Sequence, residues 1–600
     1  MIAARLRALR ESRERGSALL VVIGVAVVML ILVASSLQLT SSTLLRSSTD
    51  QQAAQALDAA YAGVQEYQSR LNSNADYESF GNPASTWSAG SAVTLPTGAA
   101  ANPAFGLGTS GTWATVPVPS GQSATESFRY EVDNTQYAAS GLVRLRATGR
   151  AGSTTRSVIA TVHQRGFIDY LYFTDFETLD PAVSRVTSSC NAYLWATPSR
   201  SGACTNVQFG ASDVLRGPVH SNDSVSACGT DFKGTVTTSA PSGTLTVPSG
   251  CAAPLYEGAG GAPTYEAPVT MPATNTSMKA GTYAGSTVGG SPGCLYTGPT
   301  TITFNAGGTM TVVSPWTKVT NPSYTSGVAS SSPAMCGSIS QLQSSSGATV
   351  ATLPSNLVYV QNVPASTSDP NYSAAVPSNF TCTYSGAGWS YGGAAYPATI
   401  GGSTEAPADG WFIHDSASNT NSWTSTNPAY GCRNGDVFVK GTFKGAMTVA
   451  AENYVYVTGD LVYTSTTSDI LGLVGNNAVI VWNPVTGSAS SPQTMLTDSG
   501  RTVDAAILSV AHTFMVQNPG WGSVRGTLTV LGSIAQRYRG QIGAGNAQGA
   551  LVTGYAKSYT YDPRFALTTP PRYLEPVRIT YGVVRYATTT TAFNADGSAH

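Results

Sequence analysis

The sequence predicts a mainly β protein with one long N-terminal α-helix, and three observations carry that prediction. From Ser17 to Leu71 no proline occurs, and only Gly24 and Gly63 interrupt good helix formers. Residues 128–162 then hold three segments of apolar/polar alternation joined by short turns. From Gly166 onward, short apolar pieces ended by Gly or Asn return roughly every 6 to 12 residues, the pattern of stacked rungs.

The helix spans about 80 Å at 1.5 Å per residue. Its first third, Ala18 to Ala34, holds twelve Leu, Ile or Val residues, so insertion into a bilayer is favourable by about 4–7 kcal/mol. Ahead of it stand Arg5, Arg7, Arg10, Arg13 and Arg15 against only Glu11 and Glu14. That imbalance keeps the leader cytoplasmic and sends everything beyond residue 34 outward. The helix continues as an amphipathic stripe of Ala53, Ala56, Leu57, Ala60, Tyr61, Val64, Tyr67 or Gln68, and Leu71, spaced to pack on the chain's own head and on neighbouring helices. The plainer alternative is a signal anchor with a helical stalk.

The junction Arg15-Gly16 followed by Ser17-Ala18-Leu19-Leu20-Val21-Val22, together with Ala59-Ala60-Tyr61-Ala62-Gly63-Val64-Gln65-Glu66, resembles type IV pilins and secretion pseudopilins, most of all the PilX-type minor pilins. The resemblance implies a prepilin-type leader, residues 1–16, cut by a prepilin peptidase after Gly16 to leave Ser17 as the new N-terminus. It also implies that the helix joins other pilin-like subunits. Two positions depart from the major-pilin pattern: Ser17 stands where Phe is usual, and Val21 where the family has Glu. In that family the Glu is thought to neutralise an adjacent subunit's terminal ammonium in the filament core, where an unpaired charge costs several kcal/mol. With Val21 there, the resemblance implies a rare, tip or initiating position. Bulk agrees, since about 430 residues follow Gln164, far above a typical domain of about 100–150.

Composition bounds the head. Charged residues are 10% of the chain, the net charge is −1, and no basic run follows the leader, which excludes a nucleic-acid footprint. Hydrophobic content of 42% supports a folded core. Cys190, Cys204, Cys228, Cys251, Cys294, Cys336, Cys382 and Cys432 all lie in the exported part, an even number suited to disulfides. Eight cysteines allow 105 connectivities, and sequential pairing is the simplest guess. No Cys-x-x-Cys occurs and no His stands at ligand spacing from a cysteine pair, so neither a metal nor another cofactor is expected.

Residues 72–127 read as loop with a few short strands. The meander of Phe128–Val132, Val143–Ala147 and Val158–Val162 lays its apolar face on the helix and closes this part near residue 165. The aromatic-rich strand Phe167–Glu177 opens the next part, residues 166–600, read as a parallel β-helix (solenoid)-like head, with a β-sandwich as the alternative. The pattern is clearest over 430–540, where Phe443-Lys444-Gly445 echoes Phe232-Lys233-Gly234. Between 239 and 430, Ser/Thr/Gly/Pro-rich insertions carry most of the cysteines and are expected to be stapled loops. The stretches Gly217–Asp223, Ala535–Gly540 and Gly554–Arg564 resemble large uncharacterised pilin-like surface proteins of high-GC bacteria, a resemblance that implies no activity.

Three constellations raise chemistry. His220-Ser221-Asn222-Asp223 holds triad residue types, but neighbours on a strand point to opposite faces, so a capped turn is the better reading. Asp175 and Glu177 share a strand face at a separation of about 6–7 Å, permissive for glycoside hydrolysis or calcium, while Asp180 before Pro181 reads as a turn residue. Arg537, Arg539, Lys557 and Arg564 among Tyr538, Tyr555, Tyr559 and Tyr561 form either a sugar- or partner-binding surface or an internal anchor of the C-terminal segment. His414-Asp415 and His512 are isolated, and no phosphate loop, nucleotide fingerprint or Gly-x-Ser-x-Gly elbow is present.

The sequence therefore points to a non-enzymatic, single-pass membrane protein with a cytoplasmic N-terminus and its head at the cell surface or on a pilus. Its expected role is structural, in a type IV pilus-like filament, with adhesion to a surface polysaccharide as a further role. The rivals are a membrane-anchored β-helix carbohydrate-active or carbohydrate-binding surface protein, and a monomeric cell-wall-associated protein outside any filament.

Overall fold

The computed structural model describes the chain except residues 1, 99–100, 108–110, 119–124, 138–140, 185, 187–189, 244, 259–260, 287–290, 382–388, 393, 397–431, 489–490, 495, 521, 547–549 and 577–579. At 2–19, 37–45, 75, 164–165, 242, 389–390, 394–396, 485–488, 491–493 and 580 it describes the backbone alone. The chain divides into two compact units, Met1–Gln164 with Tyr581–His600, and Arg165–Thr580. This corrects the expectation that 166–600 forms one head. The strand Thr580–Thr589 is the outermost member of the first unit's sheet, next to Thr154–Arg165.

In the first unit the helix runs from Ile2 to Ser73, so the leader is helical too. Nothing in its Arg-, Ala-, Leu- and Glu-rich sequence breaks a helix before Gly16. The connection after it is mostly short 3-10 turns, each started by a polar cap such as Asn74, Ser85 or Asn102. The sheet follows as the antiparallel strands Glu126–Asp133, Leu142–Ala151 and Thr154–Arg165. Phe128, Tyr130, Val132, Val143, Leu145 and Ala147 are buried, as alternation requires of a face packed on a helix.

The second unit is built from three parallel ladders. In the first, Cys294, Val358, Val449, Leu473, Ile507, Ile534, Tyr172, Val219 and Val236 stand in register, one per strand. A second aligns Thr300, Val437, Val455, Val479 and Phe514. The third aligns Leu461, Val503, Val530, Tyr559, Leu215, Phe232 and Tyr256. Apart from Thr300, every residue of these columns belongs to, or packs against, a single apolar core. Strand residues one position along point the other way, so Leu295, Tyr359, Ala450, Val474, Leu508, Ala535 and Phe173 form a second, outer cluster. That cluster is covered by Val269, Met271 and Met278 from one connection and by Phe565 and Tyr573 from another.

Strand order departs from a simple progression of rungs. Tyr172–Leu179 lies between Val524–Arg539 on one side and Val219–Ser221 on the other. From this middle position the chain builds toward Thr264–Tyr265 and crosses by the connection that holds Val269, Met271 and Met278. It re-enters at Cys294–Thr297, beside Asn356–Gln361, and builds back until Leu551–Tyr561 seats on Val214–Arg216. Alternation in a sequence reports strand faces but not which strand is whose neighbour, so this threading was invisible beforehand.

Disulfides join Cys190 to Cys204, Cys228 to Cys251, and Cys294 to Cys336. The remaining expected pair, Cys382 with Cys432, involves Cys382, which lies outside the described residues.

Candidate functional site

The long helix changes environment along its length. Ala56, Ala59, Ala60, Val64, Tyr67 and Leu71 are buried against the strands Glu126–Asp133 and Leu142–Ala151. The seat is close: a Cβ on Gly149 would overlap the Ala56 carbonyl and the Ala60 amide, so only glycine lets the sheet approach there. On the other flank Gln68 donates to the Tyr581 carbonyl at 2.8 Å, and Tyr61 meets the Tyr586 ring edge-on at 5.2 Å. The sequence-derived stripe lacked Ala59, which is buried beside Gly149, and Gly63, on which a Cβ would overlap the Phe128 ring.

Glu66, on the same helix, accepts from Tyr130 Oη at 2.8 Å and from Asn102 at 3.3 Å, and pairs with Arg70. Burial raises the phenol pKa of Tyr130 well above its ordinary value, and the Glu66 charge adds to that. This polar knot fixes the rotation of the helix on its sheet. Farther toward the N-terminus the side chains of Leu20, Val21, Val22, Ile23, Val25, Val27, Val28, Met29, Leu30, Ile31, Leu32 and Val33 are 49–73% exposed. An apolar strip of this length, far beyond the scattered hydrophobics of an ordinary surface, marks a site of association. Among the described residues no helix is long and apolar enough to cross a membrane; the described side chains of the apolar segment are those of Leu20–Ser36. Gly16 and Ser17 lie within the helix, their surroundings outside the described side chains.

The carboxylates that raised hydrolytic chemistry do not face each other as a working pair. Glu177 is bound to Arg539, both at most 2% exposed, and the Arg539 guanidinium also lies on the Phe209 ring. Asp175 accepts from Asn222 at 2.8 Å and Tyr193 at 2.9 Å. Burial raises its pKa against the lowering pull of those bonds and of Arg537. Asp180 accepts from the Ala182 amide at 2.8 Å and lies 2.8 Å from His512 Nδ1. Separate partners thus hold all three. No group of three or more His, Cys, Asp or Glu residues capable of holding a metal occurs among the described residues.

His220 is a ladder residue, not a nucleophile's partner. It stacks on Tyr170 and Phe173, with ring centroids at 5.0 and 5.8 Å, and contacts Thr237 and Asn222 at 2.8 and 3.2 Å. Asp223 is a buried cap, accepting from the amides of Glu177 and Leu194 while bound to Arg200. The arginine- and tyrosine-rich segment is internal as well. Arg537 donates to the Val510 and Pro272 carbonyls, Lys557 pairs with Asp213 at 2.5 Å and Arg564 with Asp562 at 2.5 Å, while Tyr555 and Tyr559 are core residues. His414 and Asp415 lie outside the described residues. Sequence reading missed the His512–Asp180 pair because 332 residues separate its members.

No family model matches the chain, and no curated protein matches it. Among solved structures, the chain is similar to the competence-associated pilin ComZ from Thermus thermophilus, at 11% sequence identity over 90% of this chain and 97% of that chain, with a TM-score of 0.24.

Proposed function

We propose that this chain is a structural subunit of a type IV pilus-like surface filament, placed at its tip or at its start. The observation that carries the proposal is the division of one helix into a seated half and an apolar half with nothing packed on it among the described residues. Burying a large aliphatic side chain is worth about 1.5–3 kcal/mol, so the exposed strip drives the helix into lipid first and then among sister helices. In this reading the leader is removed after Gly16, the N-terminus begins in the cytoplasm, the apolar half spans the membrane, and both folded units face outward. Val21, which offers no carboxylate to a neighbouring ammonium, suits a subunit used once rather than repeated. The three parallel ladders around a common core are read as a solenoid, a rigid body suited to display, with adhesion as its further role.

The test is co-expression of the full chain with a prepilin peptidase, followed by N-terminal sequencing of the membrane-extracted product. Ser17 is the expected first residue, and Gly16→Val should leave an uncut precursor. A mature product that begins beyond Ala34, or unchanged processing of the Gly16→Val variant, overturns the assignment.

A further inference from the structure

On the face of the first unit's sheet away from the helix, residues 590–600 fold back across the strands. Thr155 donates to the Phe593 carbonyl at 2.8 Å, Arg150 to Ala595 at 2.9 Å and Arg129 to Gly597 at 2.9 Å. Between this segment and the strand Glu126–Asp133 lies a recess of ≈390 Å³, within the range of about 300–1,000 Å³ typical of small-molecule sites. Its ionisable lining consists of Arg129, Arg146, Glu131 and His600. Glu131 is engaged by Arg146 through two hydrogen bonds, at 2.5 and 2.8 Å, and by Ser85 at 2.5 Å. Arg146 thus takes Glu131, and Arg129 is left without a carboxylate in ion-pair contact among the described residues.

Arg129 is only 6% exposed and forms no salt bridge among the described residues. Its Nη1 is taken by the Gly597 carbonyl, whereas Nε and Nη2 have no hydrogen-bond partner among those residues. The Phe593 ring lies 3.8 Å from the guanidinium carbon and Trp113 lies 5.4 Å from it, so its plane is fixed. The indole Nε1–H of Trp113 is likewise buried without a partner. Gly106 and Gly111, both at positive φ, press so closely that a Cβ on either would overlap the guanidinium. Burial lowers the Arg129 pKa, opposed by Glu131.

We infer that this recess is a binding site for a small organic carboxylate the size of one acidic sugar ring, held by the Nε and Nη2 edge of Arg129. A planar carboxylate matches that fork with two parallel hydrogen bonds, and Phe105 and Phe593, which also line the recess, offer apolar faces to a ring. The inference goes beyond the filament reading and does not depend on it.

The test is calorimetric titration of the detergent-solubilised full chain with glucuronate, glucose and inorganic phosphate in turn. Saturable binding of glucuronate and none of glucose is expected. Arg129→Lys, which keeps the charge but loses the fork, should weaken binding at least tenfold. Ala599→Phe, which fills the recess without replacing the guanidinium, should abolish it with thermal unfolding unchanged. Failure of the wild-type chain to bind glucuronate, equal binding of glucose, or wild-type affinity in a folded copy of either variant overturns the site. Phosphate bound as tightly as glucuronate overturns the carboxylate assignment in favour of a general anion site.

Discussion

Replacing Glu177 by Leu should be among the most damaging single changes in the second unit. The Glu177–Arg539 pair is at most 2% exposed, and it ties Tyr172–Leu179 to Val524–Arg539. Arg539 Nη2 is already buried without a hydrogen-bond partner. Removing the carboxylate leaves the buried Arg539 cation against Phe209 and Tyr172 without its ion-pair partner. Breaking a buried pair in this way costs about 3–5 kcal/mol, or roughly two to three and a half decades in the folding equilibrium at about 1.4 kcal/mol per decade. The double variant Glu177→Leu with Arg539→Met removes both charges and should recover most of that loss, because an apolar pair of similar volume is often as stable as the ion pair. Urea unfolding of both variants and the parent chain, followed by tryptophan fluorescence and circular dichroism, measures the difference. The reasoning fails if the single variant loses less than about 1 kcal/mol, or if the double variant is no more stable than the single one.

Asp436 is fully buried, and desolvation pushes its pKa up to about 8. A carboxyl that holds its proton longer in the folded state than in the unfolded one makes stability fall as pH rises from about 4 to 8 and level off above; Asp436→Asn should flatten that slope in melting temperatures taken across the range. Gly149→Val should lift the helix from its sheet and cost about 1–3 kcal/mol by overpacking, read as earlier hydrogen exchange of residues 56–71 with the second unit unaffected. Reduction of the Cys294–Cys336 bridge, which closes a span of 42 residues, should lower stability by about 4 kcal/mol; equal urea midpoints for the oxidised and reduced chain would refute this.

The helix and the meander were legible because each rests on local periodicity: Ala56, Ala60, Val64 and Leu71 recur at helical spacing, and Phe128, Tyr130 and Val132 at strand spacing. The short strands over 437–539 were legible for the same reason. Features that depend on distant partners were not. Nothing near Glu177 announces Arg539, and nothing near Tyr581 announces Asn72, which accepts from its amide at 2.6 Å. The recess around Arg129 escaped notice because a lone arginine on a polar strand face reads as solvated until residues 593–597 are seen to cover it. Candidate catalytic residues misled for the opposite reason: a carboxylate cluster reads as reactive on paper, whereas each of its members is neutralised or capped by its own neighbour.

The insertion of Tyr172–Leu179 between strands from the far end of the chain imposes a schedule on folding. Thr174 and the Gln536 beside it are separated by 362 residues, so the earliest-made strand of this unit waits for nearly the last before its neighbours are complete. Such long-range closure slows folding and leaves an open strand edge while synthesis continues. A chain truncated before residue 524 would lack the strands that seal the middle of the stack, and would be expected to aggregate rather than to accumulate as a shorter, well-formed body.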